Sequence, residues 1–431
     1  MFPRRISDKR ISQLFVISKL SLFLIGLGFT IRANIAADIE RDLLRIVDPI
    51  RSGALIGEML GATFLGFAVT LLFGSALVDA VGLRRMLVFA AASFIVGTVA
   101  AIVASIIQPT DGAVWLIYCG FLITGLGWGA VEASSNPMVA AMYPADKTHR
   151  LNVLHAWWPA GIVVGGLSGV AIGAADVAWQ WNLGMLLVPA VLLLVWCASG
   201  DFPVTERVSS GVTTREMFLE IFRSPGVVVW VFCMMLTAAA ELGPGQWVDF
   251  ALSQVVGMQG IILLVYISTL MFILRHFAGP ISRKLSPVGL LWFSALLAAL
   301  GLYALGHANS PSTAFLAATV WGAGVCFMWP TMLATVNERY PRGGAFFIGL
   351  MGFAGGMSIL FLLPYLGSIY DSAKLAAAGG AEQLAGMTRS ELLNIEAVAG
   401  SESFQMIALI PLLLLPVFGI IWLKDRWAAS R

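Results

Sequence analysis

The chemistry open to this 431-residue chain is framed by one carboxylate in the middle of a long apolar run. It is Glu132, in Gly129-Ala130-Val131-Glu132-Ala133-Ser134-Ser135-Asn136-Pro137. If the run ends near Tyr143, Glu132 sits roughly 16 Å inside at about 1.5 Å per residue, near the middle of a hydrocarbon core about 30 Å thick. An ionised acid at that depth costs several kcal/mol unless it is paired or protonated. Proton carriage or solute binding is therefore the expected use, with a structural ion pair as the bland alternative. Arg32, deep in the first run, is the candidate mate. It would either pair with Glu132 or clamp an anionic solute, and the residue types leave both open.

Glu241, about 15 residues into the seventh apolar run, is followed by Gln246, Trp247 and Asp249, polar groups suited to a hydroxyl-rich ligand. Trp128, Trp321 and Trp329 lie away from the interfacial belt, where a flat ring either stacks on a sugar's C–H face or fills the core. Trp157 and Trp158 point about 100° apart on a helix, so one reaches lipid while the other, expected to be Trp158, faces the pore. His155 beside them reads as a satisfied polar contact. Asn136 either lines a cavity or repairs the carbonyl that Pro137 leaves without its N–H.

These residues need elements to hold them in lipid. The chain is 59% apolar and 12% charged, with mean hydropathy +0.87, far from the roughly 25% charge of soluble domains. Six lysines and twenty arginines against 24 acids leave a net charge of +2, so no basic face exists for nucleic acid. Apolar runs predict twelve spans near 12–36, 52–78, 86–108, 113–143, 151–174, 180–198, 226–252, 258–282, 287–307, 311–341, 343–370 and 402–424. The N-terminus shows no small-residue cleavage site, so the first span is expected to be retained. Four scattered cysteines lack metal spacing, and neither a phosphate loop nor His-Glu-x-x-His is present, so no cofactor, metal or enzymatic chemistry is expected.

With the N-terminus inside, 18 of the 26 Lys and Arg residues fall in cytoplasmic segments and five outside, which predicts both termini in the cytoplasm of a plasma or inner membrane. Residues 199–225 read as a cytoplasmic linker between six-span halves 1–198 and 226–431, with a capping box at Thr213-Thr214-Arg215-Glu216. A second box, Thr388-Arg389-Ser390-Glu391, sits in an external stretch, 371–401, whose Ala/Gly content suggests mobility. The halves repeat: Trp128-Gly129-Ala130 with Pro137 and Trp321-Gly322-Ala323 with Pro330 share an offset of 193 residues. Duplicated halves flanking a midplane site are a transporter architecture. Glycines at 161, 165, 169 and 173, and at 352 and 356, read as surfaces for close helix contact.

Gly74-Ser75-Ala76-Leu77-Val78-Asp79-Ala80-Val81-Gly82-Leu83-Arg84-Arg85 resembles the loop 2–3 signature of the major facilitator superfamily. The resemblance implies an all-α membrane protein, with twelve transmembrane helices in two pseudo-symmetric halves. It also implies a cytoplasmic gate cluster, in which Asp79 meets the start of span 11 and Arg84, Arg85, Arg150, Arg275, Arg283 and Arg342 take part. Glu132, Asn136-Pro137, Arg150-Leu151-Asn152 and Ala239-Ala240-Glu241 are similar to the fucose permease branch, the sugar:proton symporters. That likeness implies an Asn lining the cavity and a second proton-carrying acid near the end of span 1, where this chain has Asn34 and Asp38 beside the added Arg32. The reading is a monomeric secondary transporter working by alternating access, with protons, a small polar solute and the bilayer as partners. Proton-coupled sugar symport leads, and organic-anion transport through Arg32 is the alternative.

Overall fold

The computed structural model describes residues 7–107, 109–143, 150, 153–204, 213–275, 281, 284–340 and 344–429. Among these there is no strand. Eleven helices are long and apolar enough to cross a membrane: Asp8–Asn34, Ser52–Val81, Leu83–Ile106, Asp111–Val139, Val153–Ala174, Gln180–Cys197, Val227–Ser253, Pro287–Gly306, Pro311–Leu333, Phe346–Ala378 and Arg389–Ala428. Ile261–Arg275 is a shorter apolar helix. In chain order they are spans 1 to 12, with Ile261–Arg275 as span 8. The terms cytoplasmic and external follow the Lys/Arg asymmetry.

The largest departure from expectation is the external stretch 371–401. Span 11 continues through it to Ala378, Ala381–Ala385 adds a short helix, and the last helix begins at Arg389 instead of near 402. The alanines read as mobile are strong helix formers. Thr388 supplies the start, since its hydroxyl accepts from Glu391 N while Glu391 Oε2 accepts from Thr388 N at 2.8 Å. The box at Thr213 forms in the same way and opens helix Thr214–Arg223.

With lipid on the outside, helices gain little from burying apolar surface and associate by close packing instead. Glycine permits it here. A Cβ at Gly125 would lie 2.0 Å from Thr63 O, one at Gly66 2.2 Å from Leu122 O, and one at Gly97 2.4 Å from Gly120 O, so spans 2, 3 and 4 touch backbone to backbone. Gly161, Gly165 and Gly169 press span 5 onto span 1, while Gly352 and Gly356 press span 11 onto span 2, as their spacing suggests. Gly82, with φ +91°, makes the sharp link between spans 2 and 3 that a residue with Cβ resists.

That link also corrects a gate assignment. Arg84 donates to Ala198 O, and Arg10 donates to Ser199 O at 2.9 Å and Asp201 O at 3.1 Å. Both guanidiniums serve the unsatisfied carbonyls that end span 6, so Arg84 works inside the N-terminal half. Arg85 is exposed, and Arg150 lies over the Tyr143 ring at 4.7 Å. Asp79 is half-buried at the end of span 2. Of Gly343-Gly344, the start of span 11 that it was expected to meet, Gly343 lies outside the described residues, as do the gate candidates Arg283 and Arg342.

The halves meet closely toward the external side. Gln246 Nε2 of span 7 donates to Phe29 O of span 1 at 2.7 Å. Asp371 of span 11 accepts from the first-turn amides of span 2, Gly53 N at 3.2 Å and Ala54 N at 3.0 Å, a carboxylate on a positive helix end. Beside it Arg45 holds Glu40 at 2.7 Å and, across the seam, Glu396 at 2.8 Å, while Ser52 Oγ donates to the buried Glu40 at 2.6 Å.

Gly57 tests this closure, because a Cβ there would fall 2.3 Å from Leu363 O. Gly57→Val should hold the external ends apart. Spin labels at the exposed Ile46 and Gln383 should then read an inter-label distance longer by several ångström; an unchanged distance would show that spans 2 and 11 do not set the closure.

Candidate functional site

Span 4 carries Glu132 and, one turn later, Asn136, the (i, i+4) spacing that puts both side chains on one helix face. Asn136 Nδ2 donates to Glu132 Oε2 at 2.9 Å and to Glu132 O at 3.3 Å. Its Oδ1 lies 3.0 Å from Nε2 of His155 at the start of span 5. All three residues are half-buried, so the row borders accessible space. Asn136 thus does not repair the Ala133 carbonyl that Pro137 frees, and His155 is part of the row.

Arg32 is not the mate of Glu132. It is 2% exposed, its Nε has no hydrogen-bond partner, and among the described residues no carboxylate lies within ion-pair distance. Its Nη1 folds back beside Gly28, near Leu186 and Phe94. Glu132 is one turn to the cytoplasmic side of Trp128, whereas Arg32 lies on the external side of Phe29, which meets Trp128 at 6.4 Å between ring centres. The two charges are on opposite sides of the Phe29–Trp128 contact.

The aromatic residues divide by what surrounds them. Trp128 packs with Phe29, Phe64 and Phe67, the last at 4.6 Å, and is 4% exposed. Trp158 joins this group through Phe29 at 5.4 Å, while Trp157 is 41% exposed with Lys19 over its ring, which is the division their 100° offset anticipates. Trp321 corrects its assignment as a ligand contact. Its Nε1 donates to Ala240 O at 3.1 Å. Ala240 O is the carbonyl four residues before Pro244 and so lacks its usual helical donor. The indole N–H is committed to mending span 7. Trp329 follows the break in span 10 at Cys326–Phe327 and packs on Gly355 of span 11.

Span 7 holds the C-terminal side of the site. Glu241 is buried and lies 3.7 Å from Arg275 of span 8, whose Nε donates to Cys326 O at 3.3 Å. Arg275 is thus a partner of the mid-depth acid, which corrects its placement in the cytoplasmic gate. Glu241 Oε2, Gln246 Oε1, Trp247 Nε1 and Thr237 Oγ1 are buried without hydrogen-bond partners among the described residues. Two other expectations change. Asp249 caps span 8, accepting from Ile261 N at 2.8 Å. Asp38 follows span 1 in the short helix Ala36–Ile39 and pairs with Arg41 at 2.8 Å, so it lies outside the membrane-spanning segment. There burial pushes its carboxyl up and Arg41 pulls it down, with burial the larger effect. Asn34 lies against Gly169 of span 5.

The Glu40–Arg45–Glu396 and Asp371–Lys374 groups had no place among the sequence candidates. The one available signal is an Asp and a Lys three apart in a mostly apolar helix, 3.4 Å from each other and both nearly fully buried.

The family model described as Major Facilitator Superfamily matches residues 19–363. The chain is 27% identical over 200 residues to Myo-inositol transporter 1 of Candida albicans, covering 44% of this chain and 32% of that protein. It is 29% identical over 147 residues to Glucose transporter GlcP of Staphylococcus epidermidis, covering 33% and 29%. These matches span about a third of either relative's length. Among solved structures, a D-xylose-proton symporter superposes with TM-score 0.72 at 15% identity over 90% of this chain and 96% of its own. The inward-open xylose transporter of E. coli gives 0.70 at 16% over 95% of each. At such identities the likeness concerns the fold.

Replacing the Trp321 indole N–H tests its structural role. Trp321→Phe should keep the ring packing yet strand Ala240 O, lowering stability by about 1–3 kcal/mol, read as a fall in melting temperature in detergent. Solute affinity should stay close to wild type. A large loss of affinity at unchanged melting temperature would return Trp321 to the binding surface.

Proposed function

Because the chain belongs to the Major Facilitator Superfamily, we propose that it is a secondary transporter that carries a sugar or similar polyol together with a proton by alternating access. The observation that carries the reading is the set of buried, unpartnered polar atoms on span 7: Glu241 Oε2, Gln246 Oε1 and Trp247 Nε1. Buried polar atoms are normally satisfied, and a mixed set of donors and acceptors on a helix interrupted by Pro244 suits a ligand rich in hydroxyls. The names of the relatives, a myo-inositol transporter, a glucose transporter and a D-xylose-proton symporter, support the same solute class.

Glu132 is the proton carrier in this reading. Its carboxylate meets an amide and no fixed cation within ion-pair distance among the described residues, so it can alternate between acid and carboxylate as the halves rock. Residues 1–198 and 226–431 move against each other, joined through 199–225, with both termini in the cytoplasm. Asp38, half-buried, paired with Arg41 and beyond the end of span 1, is poorly placed to share the task, which leaves Glu241 beside Arg275 as the second mid-depth acid.

Glu132→Gln imitates the permanently protonated acid. In reconstituted vesicles probed with D-xylose, D-glucose and myo-inositol, it should retain exchange of whichever probe the wild type carries and lose uphill accumulation driven by a proton gradient. Accumulation that survives the substitution would remove Glu132 from the coupling step.

A second reading has its own support, since a buried guanidinium with no carboxylate nearby suits an organic anion. Arginine grips a carboxylate through a planar fork that lysine does not reproduce. If the solute is an acid, Arg32→Lys should weaken its binding roughly 10- to 100-fold. If the solute is a neutral sugar, titration calorimetry on this variant should give an affinity near wild type.

A further inference from the structure

The row from Glu132 to His155 has a polarity that the atoms dictate. Asn136 Nδ2 faces two acceptors, the Glu132 carboxylate at 2.9 Å and the Glu132 carbonyl at 3.3 Å. Turning the amide over would bring its oxygen against both, so the nitrogen end is fixed toward Glu132. Oδ1 then faces His155, and at 3.0 Å from Nε2 the contact is a hydrogen bond only if Nε2 carries a hydrogen. An imidazole protonated only at Nδ1 would set two lone pairs against each other.

We propose that His155 is a positioning residue for proton uptake at Glu132: as an Nε2–H donor it locks Asn136 with its amide N–H on the carboxylate, and so sets the pH at which Glu132 takes its proton. The proposal rests on Glu132 being the proton carrier. The coupling is through geometry, with no proton passing through the amide. A hydrogen bond donated to a carboxylate favours its charged form. Without the imidazole, Asn136 keeps Nδ2 toward Glu132 but loses the bond that anchors its other end, so the donor is held less firmly on the carboxylate. His155 comes from span 5 and Glu132 from span 4, so a small shift between these helices would change the grip on the carboxylate, which ties proton affinity to helix movement.

The surrounding charges are few. On span 8, Arg275 is within electrostatic reach of His155 and 3.7 Å from Glu241 of span 7. On span 1, Lys19 lies over the rings of Phe15 and Trp157, and Arg150, ahead of span 5, lies over Phe15 and Tyr143. Spans 2 and 3 bring no charge to this depth; Asp79, Arg84 and Arg85 stand at their cytoplasmic ends. Among the described residues none of these groups bonds to Asn136, which leaves His155 as the residue outside span 4 that anchors it.

The test reads Glu132 directly and needs no solute. Infrared difference spectra of the purified full-length protein, titrated with pH, isolate the protonated-carboxyl band that vanishes in Glu132→Gln. In His155→Ala the midpoint of that band should move up by about one pH unit, roughly a tenfold gain in proton affinity. His155→Gln, whose amide can still donate to Asn136 Oδ1, should bring it most of the way back. Asn136→Ala should shift it at least as far, and adding His155→Ala to Asn136→Ala should shift it no further. An unchanged midpoint in His155→Ala overturns the proposal, and so does a further shift in the double variant, which would make His155 act by charge and not through Asn136. If no titrating band is lost in Glu132→Gln, the proton-carrier reading falls and the proposal falls with it. Should His155→Ala not fold, Asn136→Ala with and without His155→Gln carries the same comparison.

Discussion

Every polar group held in hydrocarbon must find its partner within the chain, because no water is there to supply one. Most of the side-chain geometry described above answers that constraint. The carbonyl freed by Pro244 takes the Trp321 indole. The open carbonyls ending span 6 take Arg84 and Arg10. The amides that open span 2 take Asp371 from the other half. Among the buried atoms left without a partner, span 7 contributes a cluster, Thr237 Oγ1, Glu241 Oε2, Gln246 Oε1 and Trp247 Nε1, and span 1 contributes Arg32 Nε, where a solute could supply what the chain does not.

The two halves of the candidate site solve the constraint differently. On the N-terminal side an acid leans on neutral groups, an amide and then an imidazole. On the C-terminal side an acid faces an arginine. A carboxyl held by neutral dipoles changes charge without stranding a counterion, whereas one opposite a guanidinium leaves a buried cation behind when it is protonated. In the proposed function this asymmetry suits Glu132 to proton loading and leaves Glu241 to hold Arg275 and meet solute.

How much was legible in sequence follows sequence separation. Glu132 and Asn136 are four residues apart, and helix geometry alone brings them together. The capping boxes at Thr213 and Thr388 and the glycine faces of spans 5 and 11 are also local, and each is found where its spacing puts it. Arg275 and Glu241 come from different spans, and nothing local says that they meet. Arg45 and Glu396 are 351 residues apart. Pro244 announces a freed carbonyl, yet only the crossing of spans 7 and 10 says that Trp321 mends it. Arg84 was misassigned for the same reason: a basic pair at a helix start looks the same whether its target is a gate or the end of span 6. The stretch 371–401 failed differently, since alanine and glycine were weighed together although they favour opposite backbone states.

The bond from Gln246 to Phe29 O joins the halves, and its acceptor belongs to the interior of an α-helix. A helical carbonyl already receives an N–H from four residues on, so if the halves part as proposed, Phe29 O keeps a donor. Span 2 begins at the external face, where water can replace Asp371 on the amides of Gly53 and Ala54 once the seam opens. These two ties therefore each have a substitute waiting on the backbone side. On the proposed alternating access, the closure is a fastening built to be undone: these two ties can form and rupture without leaving a peptide group bare in lipid.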